Sequence, residues 1–435
     1  MTYMIKAIAR DIAAHGGKAF YTGGYVRDRL LLGEAASGQD IDIEVFSLTR
    51  EELLSILVNY GGGVVVGRSF PVIKLKNNPQ WDFTVPEEAS ASYRDACARR
   101  DFTINAMMMD VLSGEILDFS RGQEDLEKRI IRHTSADVFA VDPLRAYRAV
   151  QLAARLDFAI NPVTLDLIKR CPLQDIKPER IMEELRKLLL LSSHPSIGLR
   201  YMRGTGISKR RHSMLFSLIG CKQSPANHPE GDVWEHTLQV VDVVAGLKQQ
   251  SRHPEALMFA ALLHDIGKPA TTRTREGKIT AYGHDLEGEK LARVFLNQLN
   301  AAGNLTAAVS KLIREHMHPV LLYKTRDKVS DKAIRKLVNR INVRELLLLA
   351  EADFKGRGRE RDFEPVREWL TQRIKSLGLD PERGIVPWLG GKDLIALGMK
   401  PGNHFRRILD AAFEMQLEGK SREEILDWLN HQAKS

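Results

Sequence analysis

The sequence predicts a multidomain protein in which an α/β domain is followed by all-α domains. Three observations predict this fold class. Up to about residue 130, short apolar runs of strand length alternate with stretches of helical apolar spacing. From Asp142 onward the apolar spacing is helical throughout. Between His236 and Asp353, histidines and aspartates recur on separate predicted helices, which is typical of a metal site assembled from several segments.

The elements of the first domain follow from this periodicity. Residues 3–15 are predicted to be a helix, because Ile5, Ile8 and Ile12 share one face. A second helix over 49–60 ends at a run of three glycines. The remaining predicted elements are strands at 64–66, 72–75 and 81–85, and a hairpin of 107–110 with 116–119.

Length and composition indicate the kind of protein and its cellular location. A length of 435 residues suggests about two to four domains. The 43% apolar and 28% charged residues are ordinary for a soluble chain, and the net charge of +8 fits a polyanionic partner. Three widely spaced cysteines favour a reducing cytosol over a disulfide framework or a zinc cluster. With no signal-peptide layout and no membrane-length apolar run, we expect a cytoplasmic protein without a membrane partner.

The paired glycines Gly23 and Gly24 carry the first chemical signal. They follow the apolar run 19–21 and precede the helical stretch 26–32, so they lie at a strand-to-helix turn. Backbone amides at such a turn approach a phosphate closely, because glycine has no Cβ and a helix N-terminus favours anions. Arg27 in the first turn adds a positive charge. No Walker-type sequence is present, which excludes that class of phosphate loop.

Two acids follow on the next predicted strand. Asp40 and Asp42 are two residues apart in Asp-Ile-Asp-Ile-Glu-Val and therefore share one strand face. Two carboxylates on one face can hold Mg²⁺. Two magnesium ions held in this way can activate a hydroxyl for in-line attack on a nucleotide α-phosphate and stabilise the departing pyrophosphate. Asp82 is either a third acid of this site or a strand-surface residue. Nucleotidyl transfer is the predicted reaction, and a solvated strand edge is the alternative.

At these residues the sequence resembles the bacterial-type (class II) tRNA nucleotidyltransferases and poly(A) polymerases, members of the polymerase-β-like nucleotidyltransferase superfamily. Residues 23–28 with 40–42 are similar to the first family motif, and residues 99–106 to the second. Residues 142–149, followed by 176–185, are similar to the third. The resemblance implies a head with a mixed sheet and helices, followed by a helical neck. It also implies that Asp40 and Asp42 are catalytic and that Gly23, Gly24 and Arg27 bind the triphosphate.

The second motif is expected to orient the incoming nucleotide. We predict that Arg99-Arg100-Asp101 opens a helix containing Asn105 and Ala106. Arg100, Asp101 and Asn105 are the candidate nucleotide-binding residues of this motif. Asp101 or its arginine neighbour would read the ribose 2′-hydroxyl, which distinguishes RNA from DNA substrates. The resemblance supports this role, and a buried structural ion pair is the alternative.

The third motif is expected to read the base. Asp142 and Arg145 are predicted to lie three apart on one helical face, with Arg148 a turn further on. The carboxylate would accept from the exocyclic amine of cytosine and the guanidinium would donate to ring acceptors, so uracil would be rejected. The resemblance assigns base reading to Asp142 and Arg145, and a surface salt bridge is the alternative. Val141 departs from the family pattern, which usually has an acid there.

The segment between Asp82 and Arg99 is markedly shorter than in members that add the whole CCA end. In the family this segment is a flexible loop needed when the pocket switches from CTP to ATP, and members that add only the two cytidines have a shortened one. The resemblance therefore predicts a CC-adding enzyme that uses CTP and tRNA, with a separate enzyme adding the adenosine. A complete CCA-adding enzyme that uses CTP and ATP is the alternative.

A second constellation lies further along the chain. The motif residues His236, His264-Asp265 and Asp353 form a mixed nitrogen and oxygen donor set suited to Mg²⁺, Mn²⁺, Fe or Ni²⁺. In this order they resemble the HD phosphohydrolase superfamily, which implies that these four residues hold a metal. Lys268 is a candidate for contact with a substrate phosphate. The other candidates in this region, as pocket or second-metal residues or as plain loop histidines, are His284, His316 and His318.

These patterns predict four domains. They are a nucleotidyltransferase head at 1–130, a neck for base and tRNA binding at 131–222, an HD domain at 223–370 and a helical tail at 371–435. Three basic residues of the neck either contact tRNA or face solvent: Arg180, Arg186 and Lys187. Three basic residues of the tail either contact RNA or take part in plain helix packing: Lys400, Arg406 and Arg407. Two functions of other classes remain as alternatives: an HD phosphodiesterase or phosphatase acting on RNA ends, and a non-catalytic RNA-binding protein.

Overall fold

The computed structural model describes residues 2–33, 41–67, 71–86, 92–358 and 362–434. Asp40 lies outside these residues. The chain divides into two compact units. The first contains Met1–Glu184 with Ile197–Arg211, and the second contains Leu185–Ser196 with His212–Ser435. The four predicted domain limits stay a prediction.

The first unit is built on a mixed sheet. Within the described residues it has seven strands in the order β3-β4-β5-β2-β1-β6-β7. Only β2 and β5 pair in parallel there, and the other neighbours are antiparallel. The strands are β1 (Lys18–Thr22), β2 (Ile41–Phe46), β3 (Gly63–Val66), β4 (Val72–Leu75), β5 (Asn78–Thr84), β6 (Met108–Asp110) and β7 (Ile116–Leu117). The buried centre of the sheet is apolar, with Ile41, Ile43, Trp81 and Phe83 almost inaccessible to solvent.

Helices surround this sheet and continue beyond it. The first, α1, buries Ile5, Ile8 and Ile12 as predicted. A reciprocal capping box between Thr49 and Glu52 begins α3. The helices are α1 (Thr2–Ala14), α2 (Gly24–Leu32), α3 (Arg50–Val58), α4 (Tyr93–Ala98), α5 (Gly122–Glu127), α6 (Val138–Val141), α7 (Arg145–Leu156), α8 (Pro162–Arg170), α9 (Pro178–Leu191), α10 (Pro195–Gly204) and α11 (Ile207–Arg211); the short strands β8 (Ile130–Ile131) and β9 (Ala159–Ile160) pair in parallel.

The predicted helix after Arg99 is wrong. Phe102 is extended and forms a β-bridge with His133, and the amide of Thr103 donates to the carbonyl of Arg132. These backbone groups bond to a distant segment, so they are not available for a helix. Only the 3₁₀ turn Thr103–Asn105 forms, and Ala106 caps it.

The predicted helical face shared by Asp142 and Arg145 is also wrong. Asp142 is extended, with φ −143° and ψ 98°, and α7 begins only at Arg145. Pro143 explains the difference, because the residue before a proline is disfavoured in the helical region. The Asp142 carboxylate instead accepts a hydrogen bond from the amide of Leu144 at 3.2 Å.

The second unit is helical apart from one hairpin, β10 (Arg273–Arg275) with β11 (Lys278–Thr280). Its helices are α12 (Ser213–Phe216), α13 (Val233–Leu247), α14 (Pro254–Leu263), α15 (Lys268–Thr271), α16 (His284–Gln298), α17 (Gly303–Glu315), α18 (His318–Lys324), α19 (Asp331–Arg340), α20 (Val343–Lys355), α21 (Glu364–Ser376), α22 (Gly391–Ala396), α23 (His404–Glu418) and α24 (Arg422–Lys434). Residues 256–263 of α14 are buried on every side, which makes this helix the centre of the unit. None of the described helices is long and apolar enough to cross a membrane.

The last three helices form a small core of their own. It contains Leu389, Leu394, Ala412, Ile425 and Leu429. The side chain of Gln416 joins the segment before α22 to α23, because it accepts from the amide of Trp388 and donates to the carbonyl of Val386, each at 3.0 Å. The predicted helical tail is therefore an ordered part of the second unit.

Candidate active sites

In the first unit, the backbone turn at Gly23 lies next to the carboxylate of Asp42 and the guanidinium of Arg100. It begins α2 with φ 66° and ψ −138°, a conformation that glycine adopts and other residues avoid. A Cβ placed on it would lie 3.1 Å from Asp42 Oδ2 and 3.4 Å from Arg100 Nη1. Three predicted site residues therefore meet at one point, and a Cβ on Gly23 would be in tight contact with the Asp42 carboxylate.

The sheet register places a second acid beside Asp42. Asp42 of β2 is opposite Asp82 of the parallel strand β5, so both carboxylates leave the same face of the sheet. The ammonium of Lys74, on β4, lies 2.6 Å from Asp82 Oδ1. Asp82 is thus next to the predicted site and carries its own counter-ion. Asp42 is exposed, so its carboxylate oxygens are accessible to a metal ion from solvent.

Glu44 orients Arg100 toward this point. It is two residues after Asp42 on the same strand face and only 8% exposed. Its Oε2 accepts a hydrogen bond from Arg100 Nη2 at 2.8 Å. Glu44 is not among the predicted site residues, although its spacing of two residues from Asp42 indicates that both lie on one strand face.

Other predicted nucleotide-binding residues form a buried polar network. Arg27 is 3% exposed and donates to Asp28 at 2.7 Å and to Asn105 Oδ1 at 2.8 Å. Asn105 donates in turn to Asp101 Oδ1 at 3.0 Å, and Arg148 donates to Asp101 Oδ2 at 2.7 Å. Both carboxylate oxygens of Asp101 are therefore bonded to protein groups. The network joins α2, the 3₁₀ turn and α7. Its contact between Arg148 and Asp101 is a buried ion pair of the kind given above as the alternative for this motif.

The pKa of Asp101 reflects this environment. Burial raises the pKa of the carboxyl, but Arg148 and the hydrogen bonds from Asn105 and the amide of Phe102 lower it more, and the pKa lies below its ordinary value. Asp101 is therefore ionised at neutral pH. The charge is balanced inside the network.

Asp142 and Arg145 are each held by a different partner. Asp142 accepts two hydrogen bonds from Arg180, at 2.8 and 3.2 Å. Arg145 donates to the carbonyl of Arg99 at 2.8 Å. Arg180, a candidate for tRNA contact, thus fixes the carboxylate that is predicted to read the base. The guanidinium of Arg145 is fixed beside the second motif.

The second unit gathers four histidines and two aspartates from five helices and their ends. All six side chains are buried. They form two groups in which the candidate ligand atoms all lie within 4.8 Å of one another: His236, His264 and Asp353, and Asp265, His284 and His316. The structure therefore brings the four predicted HD ligands close together and adds His284 and His316. His318 belongs to neither group, and its Nδ1 lies 3.2 Å from Glu315 Oε2.

The orientation of the imidazoles fits metal binding. The Nδ1 atoms of His264, His284 and His316 lie 2.9, 2.7 and 2.7 Å from backbone carbonyls three residues earlier. Because a carbonyl oxygen only accepts, Nδ1 carries the proton and Nε2 keeps a lone pair for a metal. His264 Nε2 and Asp265 Oδ2 are buried 3.2 Å apart without the alignment of a hydrogen bond. Two buried ligand atoms that face each other in this way fit a divalent cation.

His236 is oriented by an acid that the sequence analysis missed. Its Nδ1 lies 2.8 Å from Glu230 Oε1, and its Nε2 lies 3.0 Å from Asp353 Oδ1. The same carboxylate oxygen of Glu230 is 2.8 Å from His228. Such a carboxylate behind a ligating histidine fixes the tautomer and raises the basicity of the ring. Glu230 lies in a turn near the start of the predicted HD domain, in a segment that carries no motif.

Charges around the cluster, together with burial, keep Asp265, Asp353 and His316 in the protonation states that a metal requires. Burial raises the pKa of Asp265, but the positive charges of His264 and Lys268 lower it by a larger amount. The pKa of Asp265 is therefore well below its ordinary value. Burial likewise raises the pKa of Asp353, but Arg357 and His236 lower it by more, so this pKa is also well below its ordinary value. Burial, together with the nearby histidines, lowers the pKa of His316 to about 4. At neutral pH the carboxylates are ionised and His316 is neutral.

Two cations border this cluster. Lys268 Nζ lies 2.6 Å from Asp265 Oδ2 and donates to Gln223 Oε1 at 2.6 Å. Arg357 Nη2 donates to Asp353 Oδ2 at 2.9 Å. A cavity of about 300 Å³ opens onto these residues. A phosphate entering the cavity would meet both cations.

The remaining basic candidates are on the surface or paired. Arg186 donates a hydrogen bond to Glu255 at 2.8 Å, and Lys187 also has a bonding partner. In the tail, Arg406 is 91% exposed along its side chain, and Lys400 and Arg407 are also exposed. Contact of these residues with tRNA stays a prediction.

Family profiles match three parts of the chain. The poly A polymerase head domain matches residues 19–132, and the probable RNA and SrmB-binding site of polymerase A matches residues 157–211. The HD domain matches residues 233–353.

Similar proteins extend over most of the chain. It is 30% identical over 386 residues to the multifunctional CCA protein of Mannheimia succiniciproducens, a match that spans 82% of this chain and 88% of that protein. The fold is similar to that of the Bacillus stearothermophilus CCA-adding enzyme in complex with CTP, with a TM-score of 0.68, 24% identity and coverage of 98% and 96%. It is also similar to that of the Thermotoga maritima CCA-adding enzyme complexed with tRNA, with a TM-score of 0.61, 18% identity and coverage of 99% and 95%.

Proposed function

The chain belongs to the family of tRNA nucleotidyltransferases and poly(A) polymerases that carry an HD domain, and on this premise we propose that it adds cytidines from CTP to the 3′ end of tRNA without a template. The observation that carries the proposal is the meeting of the Gly23 turn, Asp42 and Arg100. A backbone turn for phosphate, a carboxylate for metal and a fixed cation are the parts that nucleotidyl transfer requires. A tRNA and CTP substrate also implies the cytoplasm as its location.

In the proposed reaction, the amides at the start of α2 and the Arg100 guanidinium bind the triphosphate. Asp42, together with Asp40, would hold Mg²⁺, and the exposed carboxylate of Asp42 beside Asp82 supplies the oxygen donors that this ion prefers. When bound, Mg²⁺ activates the tRNA hydroxyl and stabilises the departing pyrophosphate. Glu44 keeps Arg100 directed at the phosphates, and the buried network behind Arg27 and Asp101 keeps the motifs in register.

Selection of cytosine is assigned to Asp142 and Arg145. Arg180 fixes the Asp142 carboxylate, whose remaining lone pairs accept from the exocyclic amine of cytosine. Arg145, held by the carbonyls of Arg99 and Val138, donates its remaining N–H groups to the ring acceptors. Uracil presents a carbonyl to the carboxylate and is rejected, because two acceptors then face each other.

We propose that addition stops after the two cytidines. Strand β5 ends at Thr84 and α4 begins at Tyr93, so little chain is left for a loop that switches the pocket to ATP. Residues 87–91 of this connection lie outside the described part of the chain. A separate enzyme would then add the adenosine. A complete CCA-adding enzyme, which uses CTP and ATP, is the alternative.

The test is incorporation into a tRNA that ends at the discriminator base, with CTP alone, ATP alone and both. Growth by two cytidines that stops in the presence of ATP is the expected result. A further adenosine would show a complete CCA-adding enzyme, and long adenosine tails from ATP alone would show a poly(A) polymerase. No incorporation with any nucleotide would refute the proposed function.

A second activity is supported by the convergence of imidazole Nε2 atoms in the HD domain. We propose a metal-dependent phosphohydrolase in which His236, His264, Asp265 and Asp353 hold a divalent ion, with Mn²⁺, Ni²⁺, Fe and Mg²⁺ as candidates. A bound metal polarises the phosphate and lowers the pKa of a water molecule. His284 and His316 supply ligands for a second ion together with Asp265. Lys268 and Arg357 neutralise the phosphate.

Phosphate release from simple esters, measured with each metal in turn, tests this activity. His264→Ala is expected to abolish hydrolysis and to leave cytidine addition intact. Hydrolysis that persists in this variant would place the activity elsewhere. Failure of every metal to support hydrolysis in the unmodified protein would refute the proposal.

A further inference from the structure

The sheet face that carries Asp42 continues outward as an accessible surface. Asp42 of β2 is aligned with Asp82 of β5. Asp82 is aligned in turn with Lys74 of β4, and Lys74 with Val64 of the edge strand β3. Side chains of residues aligned in this way lie on one face of a sheet. The exposed fraction is 28% for the side chain of Asp82, 38% for that of Lys74 and 46% for Val64. An open row of side chains therefore leads from the candidate metal site to the edge of the sheet.

The strand order determines the side from which the tRNA approaches. Strand β1, which leads into the Gly23 turn, is on one side of β2, and β5 with β4 is on the other. In the proposed reaction the amides at this turn bind the triphosphate, so the pyrophosphate departs on the β1 side of Asp42. The attacking and leaving oxygens of a phosphoryl transfer lie roughly in line, on opposite sides of the phosphorus. The 3′-hydroxyl of the tRNA therefore arrives from the side of β5, and the nucleotides before it lie over β5 and β4.

Lys74 supplies a fixed cation on that side. Its ammonium donates to Asp82 Oδ1 at 2.6 Å and to the carbonyl of Pro79 at 3.1 Å. These two acceptors hold the ammonium in one position. A lysine ammonium has three N–H donors, and among the described residues no further acceptor engages the third. Because the side chain is partly exposed, this donor is accessible to a phosphate oxygen.

From this arrangement we propose that Lys74 binds the phosphate that joins the last two nucleotides of the tRNA and thereby guides the 3′-hydroxyl to the metal site. The inference rests on the proposed cytidine addition and adds a contact for its tRNA substrate. Adjacent strands are about 4.8 Å apart, so β4 is roughly 10 Å from the strand of Asp42. This interval accommodates the terminal ribose, whose hydroxyl reacts while its 5′ phosphate reaches Lys74.

The first test compares the effect of Lys74→Ala on the two substrates of cytidine addition. KM for tRNA should rise by roughly tenfold, because a hydrogen bond to a charged phosphate is lost, and KM for CTP should not change. The slope of log(kcat/KM) for tRNA against log salt concentration should become shallower by roughly 0.7, the contribution of one phosphate contact on a single strand. An unchanged KM for tRNA, or an equal rise in both KM values, would overturn the inference.

Two further variants separate the phosphate contact from a loss of structure. Lys74→Arg keeps the positive charge and should keep most of the affinity for tRNA. Lys128→Ala is the matched control, because the pair of Lys128 with Glu124 is as short as that of Lys74 with Asp82, 2.6 Å in each case, and lies elsewhere in the same unit. Lys128→Ala should leave both KM values unchanged. A loss in Lys128→Ala equal to that in Lys74→Ala would show that removal of any such pair is sufficient, and would overturn the inference.

The second test changes the phosphate instead of the protein. The probe is a tRNA that ends at the discriminator base and whose last internucleotide linkage is a neutral methylphosphonate. This linkage should lower kcat/KM by roughly tenfold in the unmodified protein and in Lys128→Ala, and should have no effect in Lys74→Ala, since the interaction is already absent there. An equal loss in Lys74→Ala and the unmodified protein, or no loss in either, would overturn the inference. Cytidine addition by the unmodified protein would then leave the proposed function standing, whereas no addition with any tRNA would refute both.

Discussion

Replacing Gly23 by alanine tests the geometry of the head site, and Gly33 offers a matched control. The two glycines flank α2 and have nearly the same backbone angles: φ 66° and ψ −138° at Gly23, φ 61° and ψ −134° at Gly33. A side chain is strained in this conformation at both positions, at a cost of roughly 1–3 kcal/mol. For a unit of this size that corresponds to a Tm lower by roughly 2–12 °C. We expect Gly23→Ala and Gly33→Ala to lose similar stability.

Their effects on activity should differ. At Gly23 the new Cβ would lie 3.1 Å from Asp42 Oδ2 and 3.4 Å from Arg100 Nη1, so one or both side chains must move. At Gly33 no atom of the described residues lies within 4 Å of the added carbon. A misplacement on the order of 1 Å costs about 10²-fold in rate. Gly23→Ala should therefore slow cytidine addition by roughly 10- to 100-fold, since the shift is smaller than 1 Å.

Single-turnover incorporation of CTP into tRNA, together with thermal unfolding of each variant, separates the two effects. Gly33→Ala should add cytidine at close to the unmodified rate despite its lower Tm. Equal rate losses in both variants would show that backbone strain, rather than the contact with Asp42, is responsible. An unimpaired Gly23→Ala would refute the assigned geometry.

Three further predictions concern individual acids. The folded-state pKa of Asp101 is lowered, so its stabilising effect is present above the unfolded pKa of about 3.9 and is lost as the pH falls through the folded value. Asp101→Asn should remove this part of the acid dependence of the unfolding free energy, measured by urea titration at several pH values. Glu44→Gln should raise the KM for CTP by roughly tenfold, because Arg100 loses a charged hydrogen bond, and steady-state kinetics would measure it. Glu230→Gln should weaken Mn²⁺ binding in the HD domain by roughly 10- to 100-fold in calorimetric titrations, because His236 loses its orienting carboxylate.

Local patterns were sufficient for the architecture around Gly23 and Asp42. Alternation of apolar and acidic residues placed Asp42 on a strand, and the paired glycines marked the turn into α2. The mixed α/β head, the helical remainder and the family were all predicted correctly from the sequence. These features depend on residues close together in the chain, and local periodicity reports them.

Features that depend on distant partners were missed or predicted wrongly. The bond from Arg100 to Glu44 and the bridge from Phe102 to His133 join segments far apart in sequence, and the bridge replaced the predicted helix. At Asp142 the signal was present in Pro143, but the spacing to Arg145 was given more weight. The carboxylate of Glu230 lies in a loop, where periodicity carries no information.

Cytidine addition by Asp42→Ala is the most direct test of the central claim, which is that the head carries nucleotidyl transfer independently of the HD domain. Incorporation of labelled CTP should fall by roughly a thousandfold or more, because a metal ligand worth several kcal/mol in the transition state is lost. Phosphate release by the HD domain should continue at the unmodified rate. Unimpaired CTP incorporation, or loss of both activities in a folded variant, would contradict the account.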